Sequence, residues 1–185
     1  MTYRNLDGAG SRAIARWVLE ALAHFRRDPS VVRVEWKTRG HDHAPGLHDA
    51  LLRSGFEPEE EESIMIGRVA SLISAVPLPP GVTLRKVAGE GGMELWVAEH
   101  QGLIVSAGRL EPVPGTDFAG IWGGATREEW RSQGIYRAVT AARARSAVKL
   151  GKKFIHSDST SYSRPILERY GFLRVSTTTP YCWRR

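Results

Sequence analysis

Residues 118 to 136, FAGIWGGATREEWRSQGIY, bring together an apolar run, paired glycines, a charged turn and a further glycine ahead of an alanine-rich stretch. Phe118 to Trp122 reads as a buried strand, interrupted by Gly123 and Gly124. Arg127 to Gln133 forms a charged turn, and Gly134 opens a helix. A strand, a glycine-bearing turn and a helix start present unpaired backbone N–H groups, the chemistry of an anion site. Two other groups of side chains could react. His41-Asp42-His43, with His48 and Asp49 nearby, are metal-ligand types, but a polar loop ahead of a short helix accounts for them, and no metal is expected. Cys182 is the single cysteine. With no evident histidine to activate it, it is expected to be a buried or partly buried thiol.

The elements that must hold the 118–136 stretch follow from pattern. Ile14, Trp17, Val18, Leu22 and Phe25 recur at helical spacing, predicting an amphipathic helix over 10–27. Strands are expected at 31–36 and 63–69, with a short helix over 47–53 between them. The run Val76-Pro-Leu-Pro-Pro-Gly81 reads as a stiff linker. Beyond it, strands are expected at 82–87, 94–99, 103–110 and 118–122. A helix from Gly134 to Leu150 is closed by Gly151. A short strand at 154–157, a helix over 164–170 and an extended tail broken at Pro180 complete the chain.

The 185 residues suffice for one ordinary domain or two small ones. One cysteine allows no internal disulfide, so a reducing cytoplasm is the simplest location. The N-terminus lacks the pattern of a signal peptide. The longest apolar window, Ile64 to Val76, is too short to span a bilayer and contains Arg68. Residues 1–75 carry 10 basic and 11 acidic side chains, whereas residues 76–185 carry 16 and 9. The excess positive charge therefore lies with the 118–136 stretch, which suits a phosphorylated ligand or a nucleic acid. No zinc finger, basic zipper or RNA-binding motif is present, and nucleic acid is not the expected partner.

One pattern occurs twice. Helix, strand, short helix ending in Gly-Phe, then strand runs from about residue 10 to 69 and again from about 134 to 183. The matching fragments are LHDALLRSGF and SRPILERYGF. The first unit reads as a partial copy of the second without its leading strands.

The second half resembles the GNAT acyltransferase superfamily, over about residues 82–185. Arg131-Ser132-Gln133-Gly134-Ile135-Tyr136 is similar to that family's pyrophosphate loop. The strand meander before it and the strand–helix–Gly-Phe–strand of 154–183 complete the likeness. The resemblance implies a mixed α/β fold: a mostly antiparallel central sheet flanked by helices, with a smaller N-terminal α/β half-domain. The expected division is a half-domain at 1–75 without an intact coenzyme A loop, a linker at 76–81 and an acyltransferase domain at 82–185. The implied activity is transfer of an acetyl group from acetyl-CoA directly to an amine, with no metal. A catalytically silent acyl-CoA-binding module is the alternative.

On the same resemblance, Arg131 to Tyr136 would hold the pyrophosphate and Arg137 the 3′-phosphate. Thr126 would offer its backbone to pantetheine, and Ser163 would lie near the thiol arm. The family's small residue after the loop is here Tyr136, whose ring must turn away from the phosphates. Its usual acid tyrosine is replaced by Leu167. In the first half, Asp7-Gly8-Ala9-Gly10 puts an acid where a pyrophosphate would lie.

Acyl transfer needs a base for the ammonium and an acid for the departing thiolate. Asp158 is the first candidate base, ahead of Glu94, Glu99, Glu111 and Asp117. Tyr170 is the first candidate acid, with Tyr162 and Tyr181 behind it. Arg143 and Lys149 read as parts of a solvated helix face. The acceptor is a small-molecule or peptide amine. No membrane partner is expected, and a homodimer is one way to cover the apolar 64–76 segment.

Overall fold

The helical spacing of Ile14, Val18 and Leu22 becomes α1 (Ser11–Arg26), with those three side chains buried. In the computed structural model, which describes residues 6, 8–89 and 91–185, it is followed by β1 (Arg33–Lys37), α2 (Leu47–Arg53), β2 (Glu57–Pro58) and β3 (Glu62–Arg68). A meander comes next: β4 (Val82–Ala88), β5 (Glu94–His100), β6 (Leu103–Pro112) and β7 (Phe118–Thr126). The chain ends with α3 (Ile135–Lys149), β8 (Phe154–Ser159), α4 (Arg164–Glu168), β9 (Leu173–Thr178) and β10 (Pro180–Arg184). The expected elements are all present. The largest boundary change is in β7, which runs on past Gly123 and Gly124 to Thr126.

Two sheets form. The larger has the order β4-β5-β6-β7-β8-β3-β9, and the smaller β1-β10-β2. From β4 to β7 the larger sheet is antiparallel, and β8 joins β7 in parallel. It is a mixed sheet with helices against it, in line with the expected fold class. The twofold pattern of the sequence reappears as topology. Helix, strand, helix, strand, strand is α1-β1-α2-β2-β3 the first time and α3-β8-α4-β9-β10 the second. The last strand of each set inserts between the two preceding strands of the other set.

The compact units consequently differ from the expected division. One is Met1–Ser63 with Ser176–Arg185, and the other is Ile64–Val175. The proline-rich 76–81 run is not a boundary. Leu78 packs on the cluster of Val82, Ala98, Val105, Ile135 and Val139, and the Arg145 guanidinium donates to the Ser74 carbonyl at 3.3 Å. Packing of Leu78 makes this run part of the second unit rather than a free spacer. The acidic Asp7 of the first-half loop lies outside the described residues.

The core of the first unit gathers Ile14, Val18, Leu22, Trp36, Leu51, Phe56 and Trp183. In the second unit, Ala144 and Ala147 of α3 meet Leu110, Ala119, Ile121 and Ile155 of the sheet. Alanines let the helix approach the strands closely, and ten of the thirteen residues of α3 from Ile135 to Ala147 are buried. Phe172, the aromatic of the second Gly-Phe, packs in this core against Gly67 of β3, where a Cβ would collide with its ring.

Candidate functional site

The site is built where β7 leaves its neighbours. On the β6 side, Arg109 pairs with Trp122 and Ala107 with Ala125, so Gly108 faces both Gly123 and Gly124. This is a β-bulge, and Gly123 has φ of 58°, which a residue with a side chain rarely adopts. The glycines that interrupt the predicted strand are its bulge residues.

On the other side, the parallel ladder joins Phe118 to Phe154, Ala119 to Ile155 and Gly120 to His156. It goes no further, although β7 continues to Thr126 and β8 to Ser159. Past Gly120 the two strands part. Strand backbone without a ladder partner is a template for an added extended chain that carries amides.

The cleft leads toward the start of α3. A single 3₁₀ turn, Glu128–Trp130, brings the chain round to Arg131. Ser132 has φ of 60° and Gly134 has φ of 80°, both left-handed. Alternation of this kind lets successive N–H groups converge on an anion. The first bond of α3 runs from the Ala138 N–H to the Gly134 carbonyl at 3.0 Å. The N–H groups of Ile135, Tyr136 and Arg137 therefore lead the helix. No side chain caps it, and its first turn contains no acid. The positive end of the helix dipole is thus left for an outside anion.

Loop side chains brace this conformation. Arg131 donates from Nε to the Thr126 carbonyl at 3.3 Å, and Gln133 from Nε2 to the Glu129 carbonyl at 3.1 Å. The Thr126 hydroxyl meets Ser106 Oγ at 2.9 Å. Ile135 is buried under the loop. The Tyr136 ring lies against Gly124, where a Cβ would come within 2.8 Å of Cε2. Arg137 donates from Nε to the Tyr170 hydroxyl at 2.8 Å, tying the first turn of α3 to the end of α4. Ser163 stands at the N-cap position of α4 without a side-chain cap bond, its hydroxyl 3.4 Å from that of Thr160. Leu167 is 1% exposed in the core. Its side chain is a packing residue.

Arg143 corrects the sequence reading. It is 1% exposed, one of the most buried large side chains in the protein. Its guanidinium lies flat under the bulge, and a Cβ on Gly108 would come within 2.7 Å of Nη1. Nη1 donates to the Arg109 carbonyl at 3.2 Å and Nη2 to Thr140 Oγ1 at 2.9 Å. Nε has no partner among the described residues. Burial pushes its pKa down, and the Tyr136 hydroxyl works against that shift. An arginine stays charged in such a place, so a fixed cation stands beneath the bulge. Lys149, in contrast, is exposed in the last turn of α3, at the far end from the loop.

Of the candidate bases, Asp158 is half-buried on β8, just past the point where the ladder stops. Glu94 pairs with Leu110, which pairs in turn with Ile121, so it is level with the end of the ladder but two strands from β7, and Glu99 and Asp117 are tied to Arg85 at 2.9 Å and Lys153 at 3.0 Å. Glu111 lies 3.6 Å from Arg109. Burial acts to raise the Glu94 pKa, but hydrogen bonds from Ser146, Trp96 and Lys86 outweigh it and hold the carboxyl below its ordinary value. A depressed folded-state pKa gives stability that is present above the ordinary glutamate range and lost as pH falls through the folded value. Glu94→Gln is therefore expected to cost on the order of 1 kcal/mol at neutral pH and almost nothing in acid. Urea midpoints at the two pH values check this; an equal loss at both would show that the carboxylate charge is not responsible.

Three rings and an imidazole were not singled out by sequence. Leu110, Ala119, Ile121 and Ile155 face α3. By strand alternation, Arg109, Glu111, Phe118, Gly120, Trp122, Phe154, His156 and Asp158 share the other face. There Phe118 stacks on Phe154 with centroids 5.2 Å apart, and the Trp122 ring stands edge-on to His156 at 5.1 Å. Period-two alternation of Phe154, His156 and Asp158 was the available signal.

The other reactive groups lie in the first unit. His41 Nδ1 is 2.7 Å from Ser176 Oγ, and His48 Nδ1 is 2.7 Å from the Tyr181 hydroxyl. Cys182 is buried, as expected, with Arg33 Nη2 at 2.9 Å from Sγ. Burial raises its pKa, partly offset by Arg33. Among the described residues, no helix is long and apolar enough to cross a membrane.

No family model and no curated protein matches this sequence. Solved structures do match. A GCN5-related N-acetyltransferase from Kribbella flavida superposes with a TM-score of 0.63 at 16% identity, over 90% of this chain and 74% of that one. A functionally unknown conserved protein from Staphylococcus epidermidis gives 0.67 at 14%, over 100% and 84%. A tandem GNAT protein from the clavulanic acid biosynthesis pathway gives 0.65 at 11%, over 98% and 71%. The chain has the GNAT fold.

Proposed function

We propose that this GNAT-fold chain is an N-acyltransferase that moves an acetyl group from acetyl-CoA to an amine. The observation that carries the reading is the β7–β8 ladder that stops at Gly120 and His156 and opens toward the uncapped start of α3. The residues present fit coenzyme A. A strand edge suits the amides of pantetheine, and left-handed Ser132 and Gly134 with the leading N–H groups of α3 suit a pyrophosphate. Bound acetyl-CoA would supply an acyl thioester.

The chain's own residues then have separable tasks. Ser132 to Tyr136 bind the pyrophosphate through backbone N–H groups. Arg131 and Gln133 hold the loop in shape through their bonds to Thr126 and Glu129. Arg137, bonded to Tyr170, is the proposed partner of a further phosphate. Tyr170, whose hydroxyl is polarised by that guanidinium, is the proposed donor to the departing thiolate. Asp158 is the carboxylate closest in sequence to the parting of the strands, and Ser163 opens α4 near the thiol arm. The first set of elements, α1 to β3, is read as a partial copy of the second, α3 to β10, supported by the exchanged order of β3 and β10. A single thiol fits a reducing compartment.

A second reading, a silent acyl-CoA-binding module, is favoured by the buried Leu167 at the family's tyrosine position. Calorimetric titration with acetyl-CoA, followed by thiol release in the presence of amines, separates the two. Saturable binding with turnover supports the enzyme. Binding without turnover on any amine supports the silent module. Absence of binding rejects both.

A further inference from the structure

We infer that His156 takes the proton from the acceptor, and that the acceptor is a primary amine on a flat apolar body, held against Phe118, Phe154 and Trp122. The inference rests on the acyltransferase reading. It begins from position: His156 pairs with Gly120 at the last rung of the β7–β8 ladder. A thioester at the end of an arm entering the cleft from α3 meets the protein where the strands rejoin, and His156 stands there. The ring is half-buried on the face away from α3, so an amine can approach it from the side opposite the cofactor helix.

The surroundings of the ring specify what approaches. Trp122 stands edge-on to it at 5.1 Å, with Phe118 at 6.4 Å. Gly120 lets the indole lie down on the strand, since a Cβ there would come within 2.5 Å of Nε1 and 2.7 Å of Cε2. Phe118 and Phe154 extend the apolar surface by stacking. Aromatic faces attract an ammonium and an aryl or alkyl body alike. The charged groups on this face nearest the ring are Asp158 on β8 and the Arg109–Glu111 pair on β6, 3.6 Å apart, with the Arg85–Glu99 pair farther out on β4 and β5, 2.9 Å apart. By alternation with the core residues Met65 and Gly67, Arg68 of β3 is on it as well.

Imidazole suits the task because it changes protonation near neutral pH. One proton passes from the ammonium to a ring nitrogen of His156. The freed nitrogen lone pair forms the new N–C bond at the acyl carbon, and the C–S bond breaks. Its electron pair stays on sulfur, the nitrogen gives up its second proton as the adduct collapses, and the sulfur takes up one proton. An acyl thioester and an ammonium give an amide and a thiol, with the histidine's proton returned to solvent.

The test uses the full chain with acetyl-CoA and two probe amines, 2-phenylethylamine and ethanolamine. His156→Gln is expected to keep acetyl-CoA affinity within about twofold while lowering kcat/KM by about 100-fold and removing the neutral-range limb of its pH profile. Trp122→Ala is expected to reduce the preference for 2-phenylethylamine about tenfold, mainly through KM. A His156→Gln protein that binds acetyl-CoA and keeps both its rate and its pH profile overturns the proposal. So does a wild-type chain that binds acetyl-CoA and acylates ethanolamine at least as well as 2-phenylethylamine, or acylates neither. A wild-type chain that does not bind acetyl-CoA overturns the acyltransferase reading first, and this inference with it.

Discussion

Gly134→Asp is expected to weaken acetyl-CoA binding by about 100-fold or more, the largest single effect in this molecule. Gly134 precedes the first turn of α3 with φ of 80°, where its N–H and those that follow face the proposed pyrophosphate. A carboxylate there meets like charge at a few ångströms, worth about 4 kcal/mol at a surface dielectric; about 2.8 kcal/mol already gives 100-fold. Two lesser effects accompany it. Left-handed backbone costs a residue with a side chain about 1–2 kcal/mol. The new Cβ would also sit 3.3 Å from Val76 Cγ1 and 3.7 Å from the Pro77 carbonyl, so the proline-rich segment must give slightly. Gly134→Asn carries the same shape without charge and tolerates the conformation better. Calorimetry on both variants distinguishes the causes. Equal losses for Asp and Asn would assign the effect to strain, and an unchanged dissociation constant for Asp would remove the phosphate assignment.

Gly108→Ala is expected to destabilise the protein by about 1–3 kcal/mol through overpacking, lowering Tm by several degrees. The methyl would be 2.7 Å from Arg143 Nη1 and 2.8 Å from Cζ. The guanidinium cannot swing away, because it is buried and bonded to the Arg109 carbonyl and Thr140. Arg143→Met keeps the stem and removes the head. In the double variant the clash is gone, so the two changes together should cost less than their separate sum, a coupling of the kind seen between touching residues. Chemical denaturation of the four proteins gives the cycle. Additive losses would mean that Gly108 is required by the bulge backbone alone. The same cycle read with acetyl-CoA affinity reports whether the cation under the bulge helps hold the strands apart.

Much of the fold was legible because the signals are local. The 10–27 periodicity, the Gly-Phe helix ends and the Gly123-Gly124 pair each depend on a few neighbouring residues. They folded as α1, as the ends of α2 and α4, and as the bulge. The loop at Arg131 to Tyr136 was legible for the same reason: Gly134 is a conformational requirement of the helix start.

Other readings failed because the deciding partner is distant in sequence. Arg143 sits in TAARARSAVK, where arginines alternating with alanines look like a solvated stripe. Arg145 is exposed, but Arg143 is buried under Gly108, more than thirty residues earlier in the chain. Proline-rich residues 76–81 look like a linker from composition, but Leu78 finds a hydrophobic cluster, and composition does not encode that. His156 is unremarkable in FIHSDS until Gly120 and Trp122 are placed beside it.

By itself the sequence determined where most helices and strands lie and that a left-handed glycine precedes α3. These are consequences of backbone preferences and turn chemistry within a few residues. Tertiary structure alone decided which strand enters which sheet, exchanging β3 and β10 between the sets. It also decided that the β7–β8 ladder stops at Gly120 and His156. Strand pairing is a contest among all available edges, won by the register that buries the most apolar surface while satisfying the backbone. No stretch read in isolation contains its rivals.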